Sequence, residues 1–206
     1  EYDMETLKAQ AVMLRSFCMT YMEKEEGKKI ISDKWLKEYY FSKQDCQNLW
    51  EEKTEEYYEK IKKAVADTDK LLITYDGKPI TAAYHAISSG KTEDCKNVWG
   101  SERAYLKPVS SEGDKLASNY ISQANFTTDE LKEKLKGKVN FGGKAENYFS
   151  KPVKTESGTV TEISVCSVKL TGFELQKLLD LRSANFEVNY SDGVFEFTVY
   201  GAGHGV

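Results

Sequence analysis

The sequence predicts an α+β fold with long N-terminal helices, antiparallel hairpins and two small strand–helix units that form lobes around a groove. Three observations support this class: unbroken helical periodicity near the start, Asp-Gly turns between β-rich runs, and a helix-start pattern that occurs twice. With 206 residues and 40% hydrophobic content, the chain can bury one core or two lobes. We expect residues 1–206 to be one domain, excised at both ends, with a weakly marked two-lobe division near residue 120.

Two amphipathic helices are predicted in the first third of the chain. Residues 4–24 carry apolar side chains at helical spacing with no Gly or Pro between them, and Gly27 is the expected end. A second helix is predicted over 44–66, where apolar residues follow one side and Glu and Lys fill the other. This run of charges is typical of a solvated face.

The rest of the chain predicts hairpins and short capped helices. Asp-Gly turns need positive φ at both positions and are a strong hairpin signal. Thr127 with Glu130 forms a capping box and Phe126 with Leu131 a hydrophobic staple, and the segment 170–175 repeats both devices. The predicted strands are 71–75 with 78–85, 159–169, and 186–190 with 194–200.

Composition excludes several classes of function. A net charge of −4 argues against nucleic-acid binding, which needs a clustered positive field. Two histidines exclude His-rich metal chemistry, and no apolar run is long enough to span a bilayer. The four cysteines form no C-x-x-C pair, so we expect them to be free, with at most one incidental pair. Aromatic residues make up 12% of the chain, which suits sugar or peptide binding as well as ordinary strand packing.

Few residues qualify for catalysis on pattern alone. No nucleophile elbow, phosphate-binding glycine loop or H-E-x-x-H motif is present. His85 or His204 would have to act as the base of a triad, yet a lone strand histidine is more often a hydrogen-bonded core residue. Glu5 lies beside the apolar stripe of the first helix, where partial desolvation would raise its pKa. The alternative is that Glu5 simply favours the helix macrodipole.

Several motifs in order resemble the stage II sporulation protein D (SpoIID) family. Residues 5–17, ETLKAQAVMLRSF, resemble its signature E-A-L-K-A-Q-A-V-A-A-R-T-Y, and 88–93, SSGKTE, resembles its S-S-G-G-x-T-E loop with Lys91 at the second glycine. The ending 201–206, GAGHGV, resembles the start of the family's G-x-G-H-G-V-G-M-S-Q-Y-G-A motif. Further matches are 72–80 with 83–85, 98–100 and 104–106.

This resemblance implies a lytic transglycosylase that cuts denuded peptidoglycan glycan strands, with Glu5 as the catalytic residue. It also implies sites of substrate contact, with Tyr105 and Trp99 placed to stack on a sugar. For Arg15 and Trp99 the alternatives are an internal ion pair and core packing, and His204 is expected to close the fold. The expected substrate-binding residues are Lys8, Gln10, Arg15, His85, Ser88, Ser89, Thr92, Glu93 and Tyr105.

The resemblance also sets expectations for cofactors, partners and location. Some members carry a His/Cys cluster after the first helix, but here Ser32 occupies a cysteine position with no His nearby, so we expect no zinc and no other cofactor. The implied partners are peptidoglycan strands, a membrane-anchored amidase and engulfment proteins, with no nucleic acid. The implied location is extracytoplasmic, between forespore and mother-cell membranes. The alternative function is a non-catalytic, amidase-enhancer-type peptidoglycan-binding module.

Overall fold

The computed structural model describes residues 2–24 and 40–206, which form two compact units, one ending at Ala83 and one beginning at Tyr84. Both helices and antiparallel sheets are present, which confirms the predicted α+β class. None of the described helices is long and apolar enough to cross a membrane. The expected helix end at Gly27 and the segment around Ser32 lie outside the described residues.

The N-terminal unit is mainly helical. Helix α1 spans Met4–Lys24, which confirms the first predicted helix. The second predicted helix is interrupted: α2 spans Lys43–Trp50, a 3₁₀ turn follows at Glu51–Lys53, and α3 spans Thr54–Asp67. Glu51 adopts φ 48° and donates its backbone N–H to the Gln47 carbonyl, which ends α2. No Gly or Pro marks this break, so the apolar periodicity continues through it.

The hairpin of the N-terminal unit is shorter than predicted. Strands β1 (Thr74–Tyr75) and β2 (Lys78–Pro79) pair around Asp76 and Gly77, whose φ values of 49° and 72° confirm the predicted turn. Just beyond these strands, Ile80 N donates to Ile73 O at 3.1 Å. Side chains of α1 bind the outward-facing backbone groups of the same two residues: Ser16 Oγ accepts from Ile73 N at 2.8 Å, and Thr20 Oγ1 donates to Ile80 O at 2.8 Å.

The C-terminal unit contains two antiparallel three-stranded sheets and three α-helices. One sheet has the order β3-β8-β7, from Ile121–Thr127, Val194–Tyr200 and Phe186–Ser191, and the other has the order β4-β5-β6. The second sheet consists of Val153–Lys154, Val160–Val165 and Val168–Leu170. The helices are α4 (Cys95–Trp99), α5 (Thr128–Lys134) and α6 (Gly172–Leu179), and further 3₁₀ turns lie at Glu112–Leu116 and Ala145–Asn147.

Both predicted capping boxes are present, at Thr127 with Glu130 and at Thr171 with Glu174. They fix the starts of α5 and α6, and the apolar faces of these helices pack into one core with the two sheets. Phe197, fully buried, contacts three other aromatic rings at the centre of this core.

One predicted strand is wrong. The segment 159–169 is a hairpin, because Cys166 adopts φ 53° and turns the chain between β5 and β6. The final hairpin is confirmed, with Asp192 and Gly193 at positive φ.

The boundary between the two units lies between residues 83 and 84, whereas the sequence suggested a division near residue 120. The loop 84–120 belongs to the C-terminal unit because its backbone bonds there. Ile87 pairs with Ala202, Glu93 N donates to Gly205 O, and Gly201 N donates to Tyr120 O.

Candidate functional site

Glu5 lies in the first turn of α1, and its carboxyl group is open to solvent. Its side chain is 84% exposed, so the expectation of a partly desolvated carboxylate is wrong for the structure of the free chain. Glu5 lies to one side of the apolar stripe of α1. Lys8, one turn later, donates from Nζ to Glu5 Oε1 at 3.0 Å.

Lys8 joins Glu5 to the end of α3. Its Nζ also lies 3.4 Å from Asp67 Oδ2, and Asp67 accepts in turn from Lys63 at 3.1 Å. The hydrogen bond to Glu5 and the charge of Glu5, followed by the smaller effects of Asp67, raise the pKa of the Lys8 ammonium despite partial desolvation. The hydrogen bond from Lys63, with a smaller contribution from Lys8, lowers the pKa of Asp67. Asp67 is part of this cluster although the motif of α1 gave no signal for it.

Arg15 and Gln10 lie further along α1, and Gln10 is partly buried. The Arg15 guanidinium donates to the carbonyls of Thr68, Leu71 and Val65 and to the Thr68 hydroxyl, at 2.7–3.4 Å. These are the orphan carbonyls at the C-terminus of α3 and just beyond it. Arg15 therefore caps α3 and holds it to α1. The guanidinium is committed to these internal groups, and contact of Arg15 with substrate stays a prediction.

We expect Arg15→Ala to lower the free energy of unfolding by about 1–2 kcal/mol, because it removes charge-assisted hydrogen bonds to partly buried carbonyls. Urea unfolding followed by circular dichroism measures this loss. Arg15→Lys keeps the charge but not the planar fork, so an intermediate loss is expected. An unchanged unfolding midpoint in Arg15→Ala would show that the cap contributes nothing.

An open cleft of about 450 Å³ lies in the N-terminal unit. Two of its lining residues, Tyr2 and Leu7, flank Glu5 in the chain. Trp50 and Tyr57 meet edge to face in its wall, with ring centroids 5.9 Å apart. The volume is in the range of small-molecule sites. The cleft is lined by Tyr2, Leu7, Trp50, Glu56, Tyr57, Lys60 and Ile61.

Trp50 and Tyr57 were not among the site residues predicted from the sequence. Trp50 and Tyr57 were assigned to the apolar side of one continuous helix. Because the chain breaks at Glu51, the Trp50 ring instead turns towards α3 at the cleft. A predicted helix end between Trp50 and Tyr57 would have indicated this orientation of the ring, but the sequence contains no Gly or Pro there.

The Ser88–Ser89 loop lies in the C-terminal unit, and its hydroxyls are engaged internally. Ser88 is 1% exposed; its Oγ accepts from Gly90 N, and its backbone N donates to Asp114 Oδ2 at 2.8 Å. Ser89 Oγ donates to the carbonyl of Ser157. Contact of Ser88 or Ser89 with substrate stays a prediction.

The side chains of Thr92 and Glu93 are also engaged in internal hydrogen bonds. Thr92 Oγ1 accepts from Val109 N at 2.9 Å. Glu93 is 3% exposed, and its carboxylate accepts from Asp94 N, the Asn97 amide and the Thr155 hydroxyl at 2.7–2.9 Å. A buried carboxylate with three donors is a structural anchor. Contact of Thr92 or Glu93 with substrate stays a prediction.

His85 belongs to a polar cluster beneath the same loop. Its Nε2 lies 3.5 Å from Asp114 Oδ2 and its Nδ1 lies 3.1 Å from Val206 O. Burial favours the neutral form of Asp114, but hydrogen bonds from Ser88, Ser111 and His85 outweigh it, and the pKa of Asp114 is lowered. The His85 side chain is 13% exposed. This is the hydrogen-bonded core histidine that the sequence analysis gave as the alternative.

His204 contributes to packing at the end of the chain. Its Nδ1 accepts from Val206 N at 3.1 Å, and burial, followed by the nearby His85, lowers its pKa. Trp99 meets the His204 ring with centroids 5.2 Å apart while remaining 44% exposed. Tyr105 is partly buried, and its hydroxyl lies 3.5 Å from Arg103 Nη1. Contact of Tyr105 or Trp99 with a sugar stays a prediction.

The candidates are thus divided between the two units. Glu5, Lys8, Gln10 and Arg15 lie in the N-terminal unit, and the loop residues lie in the C-terminal unit. Within residues 2–24 and 40–206, no group of three or more His, Cys, Asp or Glu side chains is arranged to hold a metal ion. All four cysteines lie in this part of the chain and are free, as expected.

Sequence comparison provides the family. The stage II sporulation protein (SpoIID) family model matches residues 1–75, which include the whole of α1 and Glu5. Stage II sporulation protein D of Bacillus amyloliquefaciens is 31% identical over 211 residues, which cover 100% of this chain and 60% of that protein. The chain belongs to the SpoIID family.

Two further relatives extend the comparison. Stage II sporulation protein D of Bacillus subtilis (strain 168) is 32% identical over 208 residues, with 98% of this chain and 60% of that protein covered. An uncharacterized protein of Brachyspira hyodysenteriae (strain ATCC 49526 / WA1) is 27% identical over 212 residues, with 100% of this chain and 54% of that protein covered. The chain therefore spans about 60% of the length of the two sporulation proteins that it matches.

Proposed function

We propose that this SpoIID-family chain is a lytic transglycosylase that cleaves the MurNAc–GlcNAc bond of denuded peptidoglycan strands and leaves 1,6-anhydro-MurNAc ends. The observation that carries the proposal is the accessible Glu5 carboxyl at the start of α1, inside the part of the chain that matches the family. The role that we assign to this reaction is in engulfment during sporulation, on the cell-wall side of a membrane. A membrane-anchored amidase and other engulfment proteins are its proposed partners.

The reaction needs a single carboxyl group. Glu5 in its acid form protonates the glycosidic oxygen, and the bond from C1 of MurNAc to that oxygen breaks. The N-acetyl group of the same sugar stabilises the cationic C1. The resulting Glu5 carboxylate removes the proton from the C6 hydroxyl, whose oxygen bonds to C1. Glu5 ends in its starting form, and no water is consumed. Hydrolytic glycosidases need a second carboxyl group to attack or to activate water.

The environment of Glu5 suits both halves of this cycle. In the free chain the carboxyl is 84% exposed, so a glycan strand can reach it without displacing protein groups. Bound sugar then excludes water from the reacting atoms. Lys8, at 3.0 Å, stabilises the carboxylate that forms in the same step.

The cleft lined by Tyr2, Trp50 and Tyr57 supports a sugar ligand in the same unit. Aromatic faces pack against the C–H faces of pyranose rings, while Glu56 and Lys60 provide an acceptor and a donor for hydroxyl and acetamide groups. We assign the cleft to binding of the strand away from the cleaved bond.

We expect Trp50→Ala to raise KM for denuded strands about tenfold and to leave kcat within about twofold, because it removes a binding surface and leaves Glu5 unchanged. Steady-state release of anhydro ends measures both constants. Tyr58→Ala is the matched control. Tyr58 directly follows Tyr57 in α3, lies near Lys43 and Lys62, and is not part of the cleft. Equal KM for Trp50→Ala and the unmodified chain would remove the cleft from the proposal.

Mass spectrometry of denuded strands after incubation with the chain tests the proposed reaction. Fragments with 1,6-anhydro ends are the expected product. Fragments with reducing ends would show a hydrolase and contradict the transglycosylase. Binding without cleavage would favour the amidase-enhancer type of function, in which the same surfaces hold the strand and Glu5 takes no chemical part.

A further inference from the structure

The charged groups around Glu5 form a series of ion pairs that links α1 to α3. Lys63 contacts Asp67, Asp67 contacts Lys8, and Lys8 contacts Glu5, at 3.1, 3.4 and 3.0 Å. Asp67 is the last residue of α3, more than sixty positions from Glu5 in the sequence. We infer that Asp67 is a positioning residue for the Glu5 carboxyl, acting through Lys8. The inference rests on the proposed function of Glu5.

The exposed fractions of the side chains show which end of this series of ion pairs is fixed. The Asp67 and Lys8 side chains are 31% and 28% exposed, whereas Glu5 is 84% exposed. Asp67 is also held by Lys63 on its own helix. Lys8 is therefore anchored on the α3 side, and its ammonium group contacts the exposed side chain of Glu5. Arg15 secures this anchor, since it caps the end of α3 immediately after Asp67.

Asp67 restrains the Lys8 ammonium group that meets Glu5. This ammonium group lies between two carboxylates, and Asp67 is the one that a second lysine also holds on α3. Without the charge of Asp67, the Lys8 ammonium can follow the exposed Glu5 side chain instead of staying beside α3. The orientation of the Glu5 carboxyl towards a bound strand is then less well defined. The charged groups that face Lys8 from α1 and α3 are Glu5, Asp67 and, through Asp67, Lys63.

The size of the effect follows from the exposure of these ion pairs, because pairs open to solvent contribute little. In Asp67→Asn, the rate of anhydro-end formation is therefore expected to fall by only about threefold.

Two further variants separate this role from a general loss of structure. Asp67→Glu retains the charge and is expected to restore most of the rate. Glu59→Gln is the matched control, because it removes one carboxylate of α3 that pairs with Lys62 and not with Lys8. A rate for Asp67→Glu as low as that of Asp67→Asn would show that the charge is not required, and that result would overturn the inference.

A second measurement does not depend on cleavage. The Lys8 ammonium can be titrated by NMR with ¹⁵N-labelled lysine, and its pKa is expected to fall in Asp67→Asn but not in Glu59→Gln. An unchanged Lys8 pKa would show that Asp67 and Lys8 are not coupled and would overturn the inference by itself. An active chain whose rate is unchanged in Asp67→Asn overturns the role of Asp67 alone, whereas absence of anhydro ends from the unmodified chain overturns the proposed function.

Discussion

Glu5→Gln is expected to reduce the formation of anhydro-ended fragments by about 10²–10⁴-fold, the range for loss of a general acid/base group. Glutamine has nearly the same shape and still accepts a hydrogen bond from Lys8, but it neither donates a carboxyl proton nor accepts the C6 hydroxyl proton. Single-turnover cleavage of denuded strands, with products analysed by mass spectrometry, measures the loss. Because kcat carries the effect, affinity for the strand should change little.

The fold of Glu5→Gln should be intact. Glu5 and Lys8 form an exposed pair three residues apart, and such pairs contribute little to stability. Glu133→Gln is a matched control, since Glu133 of α5 pairs with Lys136 at the same spacing and both side chains are 74% exposed. Cleavage by Glu5→Gln at the rate of Glu133→Gln would remove Glu5 from the mechanism.

Much of the fold could be predicted from local chemistry. The turns at Asp76–Gly77 and Asp192–Gly193 and the capping boxes at Thr127 and Thr171 are set by a few adjacent residues, so their signals are complete in the sequence. The breaks at Glu51 and Cys166 were missed for the opposite reason. Both are non-glycine residues at positive φ, and such positions are stabilised by the surrounding structure and not by the residue itself.

The site was predicted less completely. Family resemblance selected Glu5 and Lys8, which lie together on one helix. It also selected Ser88 and Glu93, whose hydrogen bonds are made to Gly90, Thr155 and other internal partners. A motif records that a residue type is required and does not separate a structural requirement from a chemical one. Asp67 shows the converse, because a partner on another helix carries no signal in the motif of α1.

Gly172→Ala is expected to lower the free energy of unfolding of the C-terminal unit by about 3 kcal/mol, at the upper end of the cost of overpacking a core. Gly172 is the first residue of α6, directly after the capping residue Thr171. A methyl group there would lie 2.5 Å from Val160 O, 2.8 Å from Val160 Cβ and 3.0 Å from Ala184 O. Two of these atoms belong to backbone that is itself hydrogen-bonded, Val160 N to Ala184 O, so neither can move cheaply.

The corresponding helix α5 begins with Thr128, which shows that the capping box itself does not require glycine. The requirement comes from the close approach of α6 to β5, a tertiary feature that the repeated sequence pattern does not reveal. Gly142→Ala is the matched control, because Gly142 has ordinary φ and no atom within 4 Å of the added methyl group. Thermal unfolding of the two variants should differ clearly, with Gly142→Ala at or slightly above the unmodified chain. Similar melting temperatures would mean that α6 shifts away from β5 at little cost, and that the contact between them does not hold the C-terminal core together.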